Sequence, residues 1–94
     1  MIVSFRSKAL ERFWVKGEVR RVNARHVAKL TLILTTLDAA ESPQGLNVSG
    51  WDFHGLVGDQ SNRFAVKVDK NYRVTFGWSR SGPDAVDVDY EDYH

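Results

Sequence analysis

The apolar positions of this 94-residue chain change their period midway. Ile2, Val3 and Phe5 mark a short strand from Met1 to Phe5, and Ser7 then offers a helix N-cap. Ala9, Leu10, Phe13 and Trp14 recur at three- and four-residue steps up to Gly17, which predicts a short helix with a glycine stop. A second helix follows Asn23, repeats Val27, Leu30, Leu34 and Leu37, and ends near Ala40, just before Ser42-Pro43. From Gln44 to Gly58 the helical period disappears into Gly, Asn, Ser and Asp around "WDFHGL", a loop with a short irregular strand. Beyond it the period is two. "RFAVKVD" sets Phe64, Val66 and Val68 against Arg63, Ala65 and Lys67, and "YRVTFGW" sets Tyr72, Val74, Phe76 and Trp78 against Arg73 and Thr75. Lys70-Asn71 is the short turn between them, with Asn71 tolerating a left-handed conformation. "AVDVDY" then places Val86, Val88 and Tyr90 opposite Asp87 and Asp89.

Two helices with apolar stripes and a sheet with one apolar face can satisfy each other only by packing together. The expected fold is α+β: two N-terminal helices on one face of a small, mainly antiparallel sheet, in a single domain over residues 1–94. The other sheet face is then polar, carrying Arg63, Lys67, Arg73, Asp87 and Asp89, and is the natural place for a site.

Charge sharpens this picture only when read by region. The net charge is +1, yet residues 1–35 carry eight Lys or Arg against two acids and residues 36–94 five against ten. Arg20, Arg21, Arg25 and Lys29 gather at the start of the second helix, where they oppose the helix dipole, so a polyanion or an acidic partner is one expectation and a solvated face the other. The chain has no cysteine, which excludes disulfides and thiolate zinc sites and fits a reducing cytoplasm. No apolar run approaches a membrane span, and Arg6 and Lys8 interrupt any signal-like segment, so a cytoplasmic protein without a membrane partner is expected.

The chemistry-bearing residues are few. No histidine pair or His-acid cluster has metal-ligand spacing, so neither metal nor other cofactor is expected. No cysteine, nucleophile elbow or phosphate-binding loop is present. His26 falls on a basic helix surface and reads as solvated; His54 lies in the irregular strand; His94 closes the sequence. What remains is a set of His, Asp, Tyr and Arg suited to acid-base chemistry on a phosphodiester, with Arg able to stabilise the extra charge of a pentacoordinate phosphate.

The order of these elements resembles the HigB (host inhibition of growth, or plasmid maintenance killer) toxins of the RelE/ParE superfamily. The features that carry the resemblance are His54 to Gly58, Arg63-Phe64, Asn71-Tyr72-Arg73 to Phe76, and Asp92-Tyr93-His94, with the opening "MIVSFRSKALERFW" and the helix ending "LDAA". The resemblance implies a RelE-like fold and the toxin of a type II toxin-antitoxin system. It further implies a metal-free, ribosome-dependent endonuclease acting on messenger RNA in the decoding site, where the RNA 2′-hydroxyl attacks the neighbouring phosphate. By the same token His54, Arg73, Asp92, Tyr93 and His94 are the catalytic candidates: the histidines as acid and base, Asp92 as base or orienter, Tyr93 as a stacking group and Arg73 as a phosphate clamp. Arg63, Lys67, Arg73, Arg20, Arg21 and Arg25 are the candidate RNA contacts. The implied partners are a HigA-like helix-turn-helix antitoxin, the ribosome with its message, and operator DNA only through the antitoxin. Val57 departs from the pattern, since many relatives have Lys there. A non-catalytic, gyrase-type inhibitor on the same fold, or a degenerate antitoxin-binding protein, stays open at this point.

Overall fold

The computed structural model describes residues 1–58 and 62–93. Helix α1 spans Lys8–Lys16, capped by the Ser7 hydroxyl, which accepts from the Leu10 N–H, and closed by Gly17 at φ 71°. Asn23 caps a single 3₁₀ turn, Ala24–His26, by accepting from the Arg25 N–H; α2, Val27–Ala39, continues directly from it. Four strands follow: β1 His54–Gly55, β2 Arg63–Lys67, β3 Tyr72–Trp78 and β4 Ala85–Asp92. They form an antiparallel sheet in the order β1-β2-β3-β4.

The helices lie on one face of this sheet, as the apolar pattern requires. Leu10 and Phe13 of α1 and Leu30, Ile33, Leu34 and Leu37 of α2 are buried against Val66, Val74, Phe76 and Val88. Each such side chain contributes roughly 1.5–3 kcal/mol on burial. Trp51 seals one flank, with the Lys29 ammonium 5.1 Å from its ring centre.

Three local expectations are corrected. Residues 1–5 form two isolated parallel bridges to β4, Ile2 with Ala85 and Phe5 with Val88, instead of a regular strand. The β2-β3 turn is organised by Asp69: its Oδ1 accepts from the N–H groups of Asn71 and Tyr72, both at 2.9 Å, and Asn71 keeps a negative φ. The third correction concerns β4. Thr75 pairs with Asp89 but Gly77 with Val86, so β4 carries one extra residue, and Asp87 takes it up at φ 51°. The bulge turns Ala85 as well as Val88 into the core and sends Val86 outward, into a shallow depression with Arg6, Arg63, Gly77 and Trp78. Ser4 supports it: the hydroxyl accepts from the Asp87 N–H and the carbonyl from the Val88 N–H.

Candidate active site

Register decides which candidates share a surface. His54 opposes Ala65, Ala65 opposes Thr75, and Thr75 opposes Asp89; in the next row, Lys67 opposes Arg73 and Arg73 opposes Glu91. All these residues lie on the sheet face turned away from the helices, since Val66, Val74 and Phe76 occupy the alternate positions in the core. His54 and Arg73 are separated by two strand spacings, about 10 Å, with a further offset of about 7 Å along the strands. Their side chains therefore bracket one stretch of the same sheet face.

His54 is exposed and enters β1 directly after a strained bend. Asp52 adopts φ 50°, and its carbonyl lies 2.8 Å from His54 Nδ1. A carbonyl only accepts, so Nδ1 carries the proton and Nε2 of the neutral ring is left with its lone pair outward. The bend thus selects the tautomer that can take up a proton at Nε2.

Arg73 is held from behind. Its Nη1 donates to the carbonyls of Asp69, at 2.7 Å, and Tyr72, at 3.1 Å. The guanidinium carbon sits 5.5 Å from the centre of the Tyr93 ring, and the Tyr93 N–H donates to the Asn71 carbonyl at 2.5 Å. Burial first, then the Glu91 carboxylate, raise the Tyr93 phenol above its ordinary pKa against the pull of Arg73 and Arg63. Tyr93 is therefore a neutral hydroxyl donor at neutral pH, 41% exposed, with its ring packed against the Arg73 guanidinium. Among the described residues, the remaining guanidinium nitrogens of Arg73 meet no side-chain acceptor, which leaves them available to an anion.

Arg63 behaves differently from the expected RNA contact. It is 6% exposed, and its Nη2 donates to the Thr75 hydroxyl and the Asp87 carbonyl, both at 2.9 Å. The Thr75 hydroxyl in turn donates to Glu91. Burial and then Arg6 lower the Arg63 pKa, while Glu91, Asp89 and Asp87 oppose them. Arg63 is a cross-strand brace that fixes the floor of the face and holds the bulge. Lys67 remains on the surface of that face, half-buried beside Arg73.

Other candidates are not brought together. Asp92 opposes Tyr72, so strand alternation puts it on the helix-facing side, where its charge acts on Tyr90. Arg20, Arg21 and Arg25 are exposed in the α1-α2 connection, within the helix layer; Arg20 Nη2 lies 3.8 Å from Glu18. Val57 is 87% exposed, beside the outer face. His94 lies outside the described residues. No group of three or more metal-ligating side chains occurs among the described residues, and no described helix is long and apolar enough to cross a membrane.

One histidine was misjudged. His26 is 3% exposed, with Nε2 2.6 Å from Asp69 Oδ2 and Nδ1 2.5 Å from the Tyr90 hydroxyl. Its partners lie 43 and 64 residues away, and its sequence neighbours Arg25 and Lys29 suggested only a solvated surface. The one local clue was Asn23, which opens a 3₁₀ turn and rotates the third residue after it inward.

A family model described as the RelE-like toxin of the type II toxin-antitoxin system HigB matches residues 3–94. Over 94 residues, all of both chains, the protein is 34% identical to a curated relative from Proteus vulgaris named "Endoribonuclease HigB".

Proposed function

The chain belongs to the HigB-like toxins of type II toxin-antitoxin systems, and from that premise we propose that it is an endoribonuclease that cuts messenger RNA on the ribosome with the outer face of its sheet. The family implies an antitoxin partner, and a HigA-like helix-turn-helix protein is the proposed one. The observation that carries the catalytic reading is the pairing on one face of a tautomer-fixed, open imidazole with a guanidinium held in place over an aromatic ring.

In this mechanism His54 Nε2 accepts the proton of the RNA 2′-hydroxyl. The 2′-oxygen then forms its bond to the adjacent phosphorus as the bond to the 5′-oxygen breaks. The guanidinium of Arg73 binds the non-bridging oxygens, where charge accumulates, and Lys67 adds positive potential beside it. Tyr93 offers its ring to a base and its hydroxyl to the phosphate. The 5′-oxygen leaves with a proton supplied by a second acid, a role proposed for His94. The products are a 2′,3′-cyclic phosphate and a 5′-hydroxyl. Asp92, on the other side of β4, is proposed to orient the terminal segment. Arg20, Arg21 and Arg25 are proposed to meet RNA outside the cleavage site, which the helix layer can reach only from the side.

Purified toxin incubated with programmed ribosomes should cut the message, and His54→Ala should lose cleavage while keeping its thermal midpoint. Cleavage that survives His54→Ala would remove this histidine from the mechanism. Growth arrest with intact messages and altered DNA supercoiling would instead select the gyrase-type inhibitor.

A further inference from the structure

The buried histidine that the cleavage chemistry does not use is hydrogen-bonded at both ring nitrogens. The Asp69 carboxylate can only accept, so His26 Nε2 donates to it; in the neutral form of the ring Nδ1 then accepts from the Tyr90 hydroxyl. The Tyr90 oxygen accepts in turn from the Asn23 N–H, at 3.4 Å. Every donor in this chain has its acceptor. Around it, the His26 ring meets Tyr72 edge-on at 4.9 Å and Tyr90 at 5.9 Å, and the two tyrosines lie 5.1 Å apart.

Asp69 is where this network crosses the sheet. Its Oδ2 takes the His26 proton, its Oδ1 folds the turn by accepting from Asn71 and Tyr72, and its main-chain carbonyl accepts from Arg73. The same turn presents the Asn71 carbonyl that anchors the Tyr93 N–H. From one buried imidazole, two short paths therefore end on the opposite face, at the clamp and at the ring over it. We propose that His26 is a positioning residue for cleavage, acting through Asp69 to fix the β2-β3 turn so that the Arg73 guanidinium and the Tyr93 ring are aimed at the scissile phosphate. The proposal rests on the reading of that face as the cleavage site. The register alone leaves a long Arg side chain free to sample several rotamers, and about 1 Å of misplacement can cost on the order of 100-fold in rate.

Two substitutions separate positioning from packing, because Asn and Gln amides replace different ring nitrogens. His26→Gln puts an amide N–H near the place of Nε2 and preserves the bond to Asp69; His26→Asn reaches only the place of Nδ1, preserving Tyr90 and losing Asp69. Each loses one hydrogen bond, so their thermal midpoints should fall comparably. Cleavage should not follow the midpoints. With His26→Asn, kcat for ribosome-bound message should fall about tenfold or more at temperatures where the protein is folded, and His26→Gln should rescue most of it, staying within about threefold of wild type. In an Arg73→Ala background, His26→Asn should produce little further loss, since the group it positions is gone. Equal losses for the two variants, tracking their midpoints, would overturn the proposal, as would a full additional loss in the Arg73→Ala background.

A readout without RNA keeps the inference testable if the cleavage reading itself fails. In labelled full-length toxin, His26→Asn should shift the Arg73 side-chain N–H and Tyr93 ring resonances, and His26→Gln should leave them near wild type. Resonances unmoved by both variants would sink the positioning role. Shifted resonances in a protein that does not cut messages would instead reject the site.

Discussion

His26 and His54 are the same side chain placed on opposite sides of one sheet, and the contrast shows how a fold assigns work to an imidazole. His26 is buried with both nitrogens matched to fixed partners, so neither ring nitrogen is open to a substrate. His54 has one nitrogen tied to a backbone carbonyl and the other presented to the open face. One hydrogen bond orients a general base; two turn it into a structural joint. The same division runs through the arginines. Arg63 is buried as a brace between strands, and Arg73, two rows along the outer face, is fixed at one nitrogen while its others meet no side-chain acceptor among the described residues.

The largest effect that would test the contrast comes from replacing each histidine in turn. His54→Gln keeps a hydrogen-bonding side chain but cannot take up a proton, so single-turnover cleavage should drop by about 100- to 10,000-fold with an unchanged thermal midpoint. His26→Ala should do the reverse in stability: it empties a buried ring site and removes the bonds to Asp69 and Tyr90, so the thermal midpoint should fall by several degrees. If His54→Gln loses stability while His26→Ala does not, the assignment of the two roles is inverted.

Arg73→Lys comes next. Lysine keeps the charge but has no second donor nitrogen to offer an anion while the first is held by the Asp69 and Tyr72 carbonyls, and no planar face for Tyr93, so a loss of about tenfold in kcat/KM is expected. A Lys variant with wild-type kinetics would show that charge alone suffices on this face. A smaller change, in the opposite direction, is expected for Val57→Lys. An exposed cation beside the outer face should strengthen message binding by a few-fold, most visibly at low salt. A fall in cleavage by a folded Val57→Lys protein would mean that this rim is adapted to an apolar contact.

The smallest effect is acid-dependent. The bond from His26, and then the Asn71 N–H, hold the Asp69 carboxyl at about 2, below its ordinary 3.8. A depressed carboxylate stabilises the folded state fully above the unfolded value, and that contribution is lost as pH falls through the folded one. Wild type should therefore lose more stability than Asp69→Asn between about pH 4 and pH 2, while the two run parallel above pH 5. Parallel curves throughout, measured by urea titration, would place the Asp69 carboxyl outside the network.

Much of the fold could be read directly from the chain. Ser7 and Gly17 bound α1 as their capping chemistry predicts, the leucines of α2 face the core, and the alternation in β2 and β3 sorts Lys67, Arg73 and Thr75 onto the outer face. These are local rules: a cap, a helical period and a strand period each involve residues within about one turn or one pleat of each other. Of the candidate site, His54, Arg73 and Tyr93 are proposed through the resemblance, and the common face of His54 and Arg73 follows from the strand period. The Asp52 carbonyl that fixes the His54 tautomer was not legible, because it depends on a φ of 50° that no residue type announces.

Sequence by itself determined the class of fold, the sheet face available for chemistry and the residue types that could act there, since hydrophobic period and side-chain inventory are properties of the chain alone. Tertiary structure decided which of those residues are free to act. The bulge at Asp87 shifts the strand alternation by one residue, turning Val86 outward and burying Ala85, and it offers the carbonyl that captures Arg63. Asp69 meets His26 across 43 residues, and Tyr90 meets it across 64. A polar group is spent or available according to whether a partner lies within about 3 Å, and partners that far apart in the chain are brought to that distance only when the helices and sheet close over a common core.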